Sequence, residues 1–467
     1  MKNNSVLKSI PYSITKILGY IVSMLALPIL TNLFDKTQFG MISTLEAKIT
    51  LIVSIFLFGI PQSYIRFYNR YSRSNQIDVL NSSFLFLIGI VFILASTISY
   101  IVLSFGNVNN VSVIILAFLV GNLVIMQQIS SIIRAKEKTL LHSLILGLND
   151  ILSYALPIAI LYMFGISINN YFLSKLIVPL SIFLLILLVV KKELKFVGVK
   201  GTIIKEMLVF GIPLVLVSIG GTIFSSGDRI IINHIMGSEQ VAVYSVASKI
   251  AHAIQQLMIF PINMVLFPMY IRIWEEEGRK RTEQILSKWF IVYVFIATAI
   301  IAGSISIRKE AMVLLSNSSY IDGAIIIPIL TAGLLIYGGY YFISAGFFVS
   351  NRTFNLGIII FSTSLLNVAL NYIMGKYMGL IGVALATAIA YVVFMIITYI
   401  IGNKILTIKF YWTQIIKFII SAIIMILVLS MLSGSKSILI DLLVKISVGF
   451  IVYVVLNIRF VIKQLRG

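Results

Sequence analysis

The chain has 467 residues, 60% of them hydrophobic and 11% charged, with a mean hydropathy of +1.06. Soluble chains carry about 45–50% apolar and about 25% charged residues, so a water-soluble globular enzyme is excluded. The lack of cysteine removes disulfides, thiolate catalysis and Cys-based zinc sites, and three histidines without an HExxH spacing leave no metalloenzyme pattern.

Apolar runs long enough to cross a bilayer as helices follow one another with short polar breaks. The first half predicts spans over Pro11–Leu33, Phe39–Ile60, Val79–Ser104, Val111–Ile133, Leu140–Phe164 and Asn169–Val190. The second half predicts Met207–Ile235, Val241–Ile271, Leu286–Ile307, Gly323–Val349, Asn355–Gly375 and Leu380–Ile401, followed by Trp412–Leu432 and Ser437–Phe460. No segment alternates as a strand would, which excludes a membrane β-barrel. The fold class is therefore an all-α polytopic membrane protein of about fourteen transmembrane helices.

The formal charge of +20 is an orientation signal. With the N-terminus inside, about 26 of the 36 Lys and Arg fall on the inner side and about 5 outside. Nucleic acid is thus not an expected partner, and both termini are expected in the cytoplasm. Trp274, Trp289 and Trp412 fall at inner helix ends, as an aromatic belt requires. The first span is too long for a cleavable signal peptide and has no small-residue cleavage site. Two polar connections are sizeable. Lys191–Glu206 reads as an inter-lobe linker, and Arg272–Lys288, with Glu275, Glu276, Glu277, Arg279, Lys280 and Arg281, as a surface amphipathic helix.

The segment from Asn32 to Ser43, running on to Lys48-Ile49, is similar to that from Asn233 to Ser245, running on to Lys249-Ile250. The offset of 201 to 202 residues is the length of one six-helix block. An even number of crossings per copy makes the copies parallel, as in transporters built from two rocking halves. The predicted organisation is an N-lobe over 1–190, a cytoplasmic linker over 191–206, a C-lobe over 207–402 and two further helices over 403–467. A substrate path is expected between the pseudo-symmetric lobes. Pro28, Pro213, Gly220, Gly221, Pro261 and Pro268 are expected bending points.

Phe58-Gly-Ile-Pro-Gln-Ser-Tyr-Ile-Arg-Phe67, Phe210-Gly-Ile-Pro213, Ser226-Gly-Asp-Arg-Ile-Ile-Ile232, Val243-Tyr-Ser-Val-Ala-Ser-Lys-Ile250, Asn367-Val-Ala-Leu-Asn371 and Gly382-Val-Ala-Leu-Ala-Thr387 carry a family resemblance. Their order and helix positions resemble the polysaccharide-transporter branch of the multidrug/oligosaccharidyl-lipid/polysaccharide (MOP) superfamily, related to lipid II flippases. The resemblance implies a flippase in the bacterial cytoplasmic membrane. It would move undecaprenyl-pyrophosphate-linked oligosaccharide, of the capsule or O-antigen type, to the outer leaflet by alternating access. Membrane lipids and polysaccharide assembly proteins are its implied partners.

Charges inside spans cost at least about 2.5–3.5 kcal/mol and normally face a wet cavity. Lys48 lies nine residues inside the second span and Lys249 eight residues inside the eighth. That is about 12–13 Å from their outer ends, beyond the reach of a snorkelling side chain. The two occupy matching positions in the repeat, so they are expected to face a central cleft and to attract an anion such as pyrophosphate. The resemblance adds Lys16, for which snorkelling at the inner end of the first span is an equal alternative. Glu46 is read either as a contact or gate or as half of an ion pair, and Arg66 either as a topology signal or as a first contact for headgroup phosphate. Asp150 and Lys175 are intramembrane candidates of the same kind.

Asp228, Asn367 and Thr387 sit about 10–12 Å below the outer ends of their helices, and Asn371 about 6 Å below. Asn367 and Asn371 share a helix face, and with the Val383 carbonyl they suit an all-oxygen cage for a hard cation. The lipid II flippase resemblance implies the same positions for sodium, with a carboxylate where Asn371 stands here. Helix-to-helix hydrogen bonding is the competing reading. No other cofactor is expected, and sodium or proton coupling is left open. The alternatives are a multidrug exporter of the same superfamily, for whose cations Lys48 and Lys249 have the wrong sign, and a membrane polysaccharide polymerase or acyltransferase. The latter has no catalytic arrangement in the short outward connections, so the chain is not expected to be an enzyme.

Overall fold

The computed structural model describes residues 4–105, 112–350, 352–432 and 437–465, with the side chains at 4–14, 16, 260, 263 and 465 outside that description. Among the described residues the structure is helical, and eleven helices are long and apolar enough to cross a membrane. A further apolar helical stretch, Ile17–Leu33, is shorter. Two of the longest helices are each two spans hinged at a glycine. With those hinges the architecture is the expected multi-pass bundle of about fourteen crossings.

Packing divides the chain into two compact units. The first comprises Met1–Ile230 with Ile360–Leu365. It contains α1 (Asn4–Leu33), α2 (Lys36–Phe56), α3 (Ile60–Arg73), α4 (Ile77–Ser104), α5 (Val113–Ala135), α6 (Thr139–Phe164), α7 (Ile168–Val190) and α8 (Gly201–Thr222). Here α1 packs on α6, α6 on α7, α7 on α5 and α5 on α4, while α8 packs on α2, α3 and α4. A π-helical turn over Ile223–Gly227 then leads into α9 (Asp228–Met236), which runs across the division between the units at Ile230.

Lipid, not water, explains which side chains face outward. On α4, Phe86, Ile90, Ile93 and Leu94 are exposed, while Asn81, Ser82, Ser83 and Ser99 are buried. In hydrocarbon an apolar side chain gains nothing by burial, whereas a polar one must find a partner inside the bundle.

The expected second span ends early. α2 starts with a capping box, in which Asp35 accepts the Gln38 N–H, and stops at Phe56. Phe58 and Gly59 then take φ of 47° and 61°, two left-handed residues in succession, and Pro61 restarts the chain as α3. This amphipathic helix has no counterpart in the predicted elements. It is fastened to α8 along its length. The Ser63 hydroxyl lies 2.7 Å from the Met207 carbonyl, Arg66 lies over the Phe210 ring at 4.2 Å, and Arg70 and Tyr71 both reach Glu206.

Where α3 begins, the two Phe-Gly-Ile-Pro tetrapeptides meet. A Cβ at Gly211 would lie 2.2 Å from the Phe58 carbonyl oxygen, and one at Gly59 would lie 2.3 Å from that of Gly211. Only glycine at both positions lets the backbones cross this closely. This contact and the α3 fastenings are why residues 201–230 pack with the first unit.

The second unit comprises Ile231–Ile359 and Leu366–Gly467. It holds α10 (Ser238–Ser306), α11 (Arg308–Leu315), α12 (Ile326–Gly338), α13 (Tyr340–Ile343) and α14 (Ala345–Val349), then most of α15 (Thr353–Gly402) with α16 (Trp412–Ser430), α17 (Ile438–Leu456) and α18 (Ile458–Leu465). α10 packs on α12 and α16, and α17 on α16 and α11.

The surface helix expected over Arg272–Lys288 is not a separate element. Helix continues through Glu277, breaks at Gly278 (φ 77°, ψ −169°) and resumes at once, so the charged residues are the last turns of one rod and the first turns of the next. Ion pairs four residues apart flank the break, Arg272 with Glu276 at 3.9 Å before it and Arg279 with Glu283 at 2.8 Å after it, and Arg281 reaches across it to Glu277 at 3.3 Å. Gly379 joins the two spans of α15 in the same manner.

The chain leaves its sixth and twelfth spans in a matching way. After α7 a 3₁₀ turn, Lys191–Glu193, leads into an extended run to Lys200. The head of α4 binds this run through side chains: Asn81 donates to the Glu193 carbonyl, Ser82 accepts the Val197 N–H at 2.9 Å, and Ser83 accepts the Lys200 N–H at 3.0 Å. In the second unit the run after α15 is bound by Glu283, which accepts the Thr407 N–H at 2.8 Å, and by Ser287, which accepts the Lys409 N–H at 3.0 Å. Burial opposes ionisation of Glu283, but the Thr407 N–H and the Arg279 guanidinium outweigh it and hold the carboxyl below the usual carboxylate range.

Candidate functional site

In the first unit α2 carries Lys48 and Glu46. Lys48 is half-buried, at least about 12 Å from either end of the helix by its rise per residue, and makes no hydrogen bond or ion pair with any described residue. Glu46, two positions back, points elsewhere. Its Oε1 accepts the Tyr171 hydroxyl at 2.7 Å and lies 3.3 Å from the Lys175 Nζ, both on α7. The Lys175 ammonium also sits 4.8 Å from the centre of the Tyr154 ring. Of the two readings of Glu46, the geometry is that of an ion pair. A cavity of about 260 Å³ adjoins it, and Asp150 and Lys175 both line that cavity.

Arg66 lies on α3 and not at the end of α2, exposed, with its guanidinium on Phe210. The backbone of Lys16 is part of α1, while its side chain lies outside the described residues. Lys249 is half-buried on α10 in the second unit, among the buried Ala247, Ser248 and Ile250.

Four of the five residues of the expected cation cage lie in the second unit. The Asn371 amide donates to Asn367 Oδ1 at 3.2 Å, the Asn367 amide donates to Thr387 Oγ1 at 3.2 Å, and the Thr387 hydroxyl completes the ring to Asn371 Oδ1 at 3.4 Å. All three, with Val383, are buried. Three neutral oxygens brought together away from water fit a hard monovalent cation, at the cost of breaking this ring. Asp228, the one carboxylate, belongs to the first unit. It is buried directly after the π-helical turn, and its Oδ1 accepts the Arg229 N–H at 2.8 Å. Such turns interrupt the helical ladder and recur at functional positions.

Residues 6–274 match the polysaccharide biosynthesis protein family. The chain belongs to that family. This polysaccharide biosynthesis protein is similar to an uncharacterized membrane protein of Methanocaldococcus jannaschii, 23% identical over 435 residues that cover 85% of this chain and 83% of the relative. It is also similar to the capsular polysaccharide biosynthesis protein CapF of Staphylococcus aureus, 26% identical over 192 residues, which are 38% of this chain and 48% of that one. The fold is that of lipid II flippase MurJ, solved in an inward closed conformation, with a TM-score of 0.79 at 18% identity over 99% of this chain and 100% of that one. An inward-facing MATE multidrug transporter of the MOP superfamily follows at a TM-score of 0.66 and 17% identity, over 82% of this chain and 97% of that one. The resemblance read from the Gly-Ile-Pro, Tyr-Ser and Asn-Val-Ala motifs is borne out.

Two features of this family member are absent from the predicted site. In the second unit Lys445 lies 2.5 Å from Glu310 Oε1 and 3.1 Å from Asp441 Oδ2, and each of the three side chains is less than 15% exposed. The four-residue spacing of Asp441 and Lys445 on an apolar helix is the signal that would have found them. Beside this triad an apolar cavity of about 360 Å³ is lined by Phe295, Gly303, Met425, Gly449 and Phe450, with the Lys445 stem at one end. Tyr20, Ser23, Ser153 and Tyr154 in the first unit were also passed over, because single tyrosines and serines in a span carry no pattern of their own.

Proposed function

We propose that this polysaccharide biosynthesis protein is a flippase that carries a polyprenyl-pyrophosphate-linked oligosaccharide from the cytoplasmic to the outer leaflet by alternating access. The observation that carries the reading is Lys48, a mid-span ammonium without a counter-ion among the described residues. A cation at that depth is costly unless an anion or water meets it, and a phosphate-bearing headgroup supplies the anion. Lys249 is its counterpart in the second unit, and Arg66 meets the headgroup first. The prenyl tail remains in hydrocarbon, where the apolar cavity beside α16 and α17 offers it a slot.

Several features support this reading over its rivals. The family match, the lipid II flippase fold and the capsular relative all belong to polysaccharide or lipid-linked chemistry. A cationic drug is repelled by Lys48. Sodium is the coupling ion in this reading, taken by the oxygens of Asn367, Asn371 and Thr387 with the Val383 carbonyl.

The test is complementation of a flippase-null strain by the wild type, Lys48→Ala, Lys249→Ala and the double variant. Each single variant is expected to lower surface polysaccharide about tenfold and the double variant to abolish it, with Lys48→Arg retaining most of it. Normal surface polysaccharide from the double variant, at equal amounts of protein in the membrane, refutes the assignment.

A further inference from the structure

The cavity between α1, α6 and α7 is lined by neither Lys48 nor Lys249 and has its own chemistry. Its volume is about 260 Å³, and its walls are Tyr20 and Ser23 of α1, Asp150, Ser153 and Tyr154 of α6, and Lys175 of α7. Asp150 is eleven residues into a helix of 26, which places it about 16 Å along the rod and near the middle of a hydrocarbon core about 30 Å thick. Lys175 is paired with Glu46, and the space these polar side chains line at that depth is suited to water or to a ligand that replaces water.

Among the described side chains the charges around the cavity balance. Glu46, Asp150 and Arg229 all lie within Coulombic reach of the Tyr154 hydroxyl, and Lys175 sits on the Tyr154 ring, so two carboxylates meet two cations. Glu46 pairs with the Lys175 ammonium and is itself held by the Tyr171 hydroxyl. A pyrophosphate gains nothing from a balanced cluster, and a metal cation is opposed by the ammonium on the wall. A neutral polyol gains from every group. Its hydroxyls donate to Asp150 and accept from Lys175 and the serines, while the apolar faces of its ring lie on tyrosine. The space holds roughly eight waters at about 30 Å³ each, or one pyranose ring in their place, and not a disaccharide.

We propose that this cavity is a monosaccharide subsite that takes one neutral pyranose ring of the transported glycan. The proposal rests on the reading of the chain as an oligosaccharide-lipid flippase, and it makes the first unit the part that reads sugar identity. Ser23 and Ser153 set the room available, and Asp150 sets which hydroxyl pattern is accepted.

The test uses the full chain in lipid nanodiscs free of glycosidic detergent, with methyl glycosides of glucose and N-acetylglucosamine as probes and saturation-transfer NMR as the readout. At least one probe is expected to be saturated by the wild type and by Lys48→Ala. The signal should fall at least fivefold in Ser23→Phe and in Ser153→Phe, which fill the cavity. Asp150→Asn keeps the size of the side chain and serves if the filled variants do not fold; it should lower the signal about threefold at an unchanged melting temperature. Lack of saturation in the wild type, or undiminished saturation in folded Ser23→Phe and Asp150→Asn, overturns the subsite. Translocation of a lipid-linked oligosaccharide is measured separately in proteoliposomes. Saturation without translocation leaves the subsite standing and removes the flippase reading, and translocation without a difference in saturation does the reverse.

Discussion

Gly211→Ala adds one methyl where the two Phe-Gly-Ile-Pro segments cross. That carbon would sit 2.2 Å from the Phe58 carbonyl oxygen, about 1.2 Å inside the 3.4 Å at which ordinary contact begins. The obstructing atom is backbone, so relief requires the crossing to open, which places the cost at about 1–3 kcal/mol. Against this, alanine is favoured over glycine in a helix by about 1 kcal/mol. Gly221, one residue before the end of the same helix, has nothing within 4 Å of its would-be Cβ and so reports the propensity gain alone. The difference between the two variants isolates the clash, about 1–3 kcal/mol or roughly 5–150-fold in the unfolding equilibrium. Gly59→Ala adds about 1–2 kcal/mol for its left-handed backbone. The two crossing variants share one contact, so the double variant should cost less than their sum. Thermal unfolding in nanodiscs, followed by tryptophan fluorescence, measures the four variants beside the wild type. A Gly211→Ala protein that melts at or above Gly221→Ala would show that the crossing has room to spare and would refute the reasoning.

Three other expectations follow from the contacts. Lys445→Ala leaves Glu310 and Asp441 buried without their cation and should destabilise by about 3–5 kcal/mol; replacing all three residues with apolar ones should recover most of the loss in the same melting assay. The Glu283 carboxyl has a lowered folded pKa, so its contribution is present above the unfolded value of 4.5 and is lost as pH falls through the folded value. Glu283→Gln should therefore lower the melting point at pH 7 by an amount equivalent to about 1 kcal/mol, and the gap to wild type should narrow as pH falls below the unfolded value of 4.5. Sodium should raise the melting temperature of the wild type relative to potassium, and Asn371→Ala should remove that increment. No sodium effect on the wild type would remove the ion from the site.

The spans were legible because a helix in lipid writes itself as about 20 apolar residues whatever it packs against. The i, i+4 spacing of Asn367 and Asn371 gave their shared face, and Thr387 joins them from the next span through the helix-to-helix hydrogen bonding that was the competing reading. What depended on tertiary contact was not legible. Glu46 finds Lys175 on a helix far along the chain, so its partner could not be read from spacing. The stop after Phe56 comes partly from Phe58 in a left-handed conformation, which nothing in a phenylalanine announces. α3 was hidden because fourteen residues with four tyrosines or phenylalanines and three arginines resemble the basic flank of a span. Both Gly-Ile-Pro motifs were visible, but that they touch is a property of the bundle.

The connection after α7 is dense in lysine, with Lys191, Lys192, Lys195 and Lys200 in ten residues, and has the composition of a loose tether. It has no slack. Asn81, Ser82 and Ser83 fix its path at successive points, so its length is set by the helices it joins. Residues inserted between Glu193 and Gly201 would tear the backbone from those side chains, which makes this stretch a poor place for an epitope tag or an engineered cleavage site. A protease that needs several residues free of their hydrogen bonds should likewise pass over a segment whose lysines otherwise invite it.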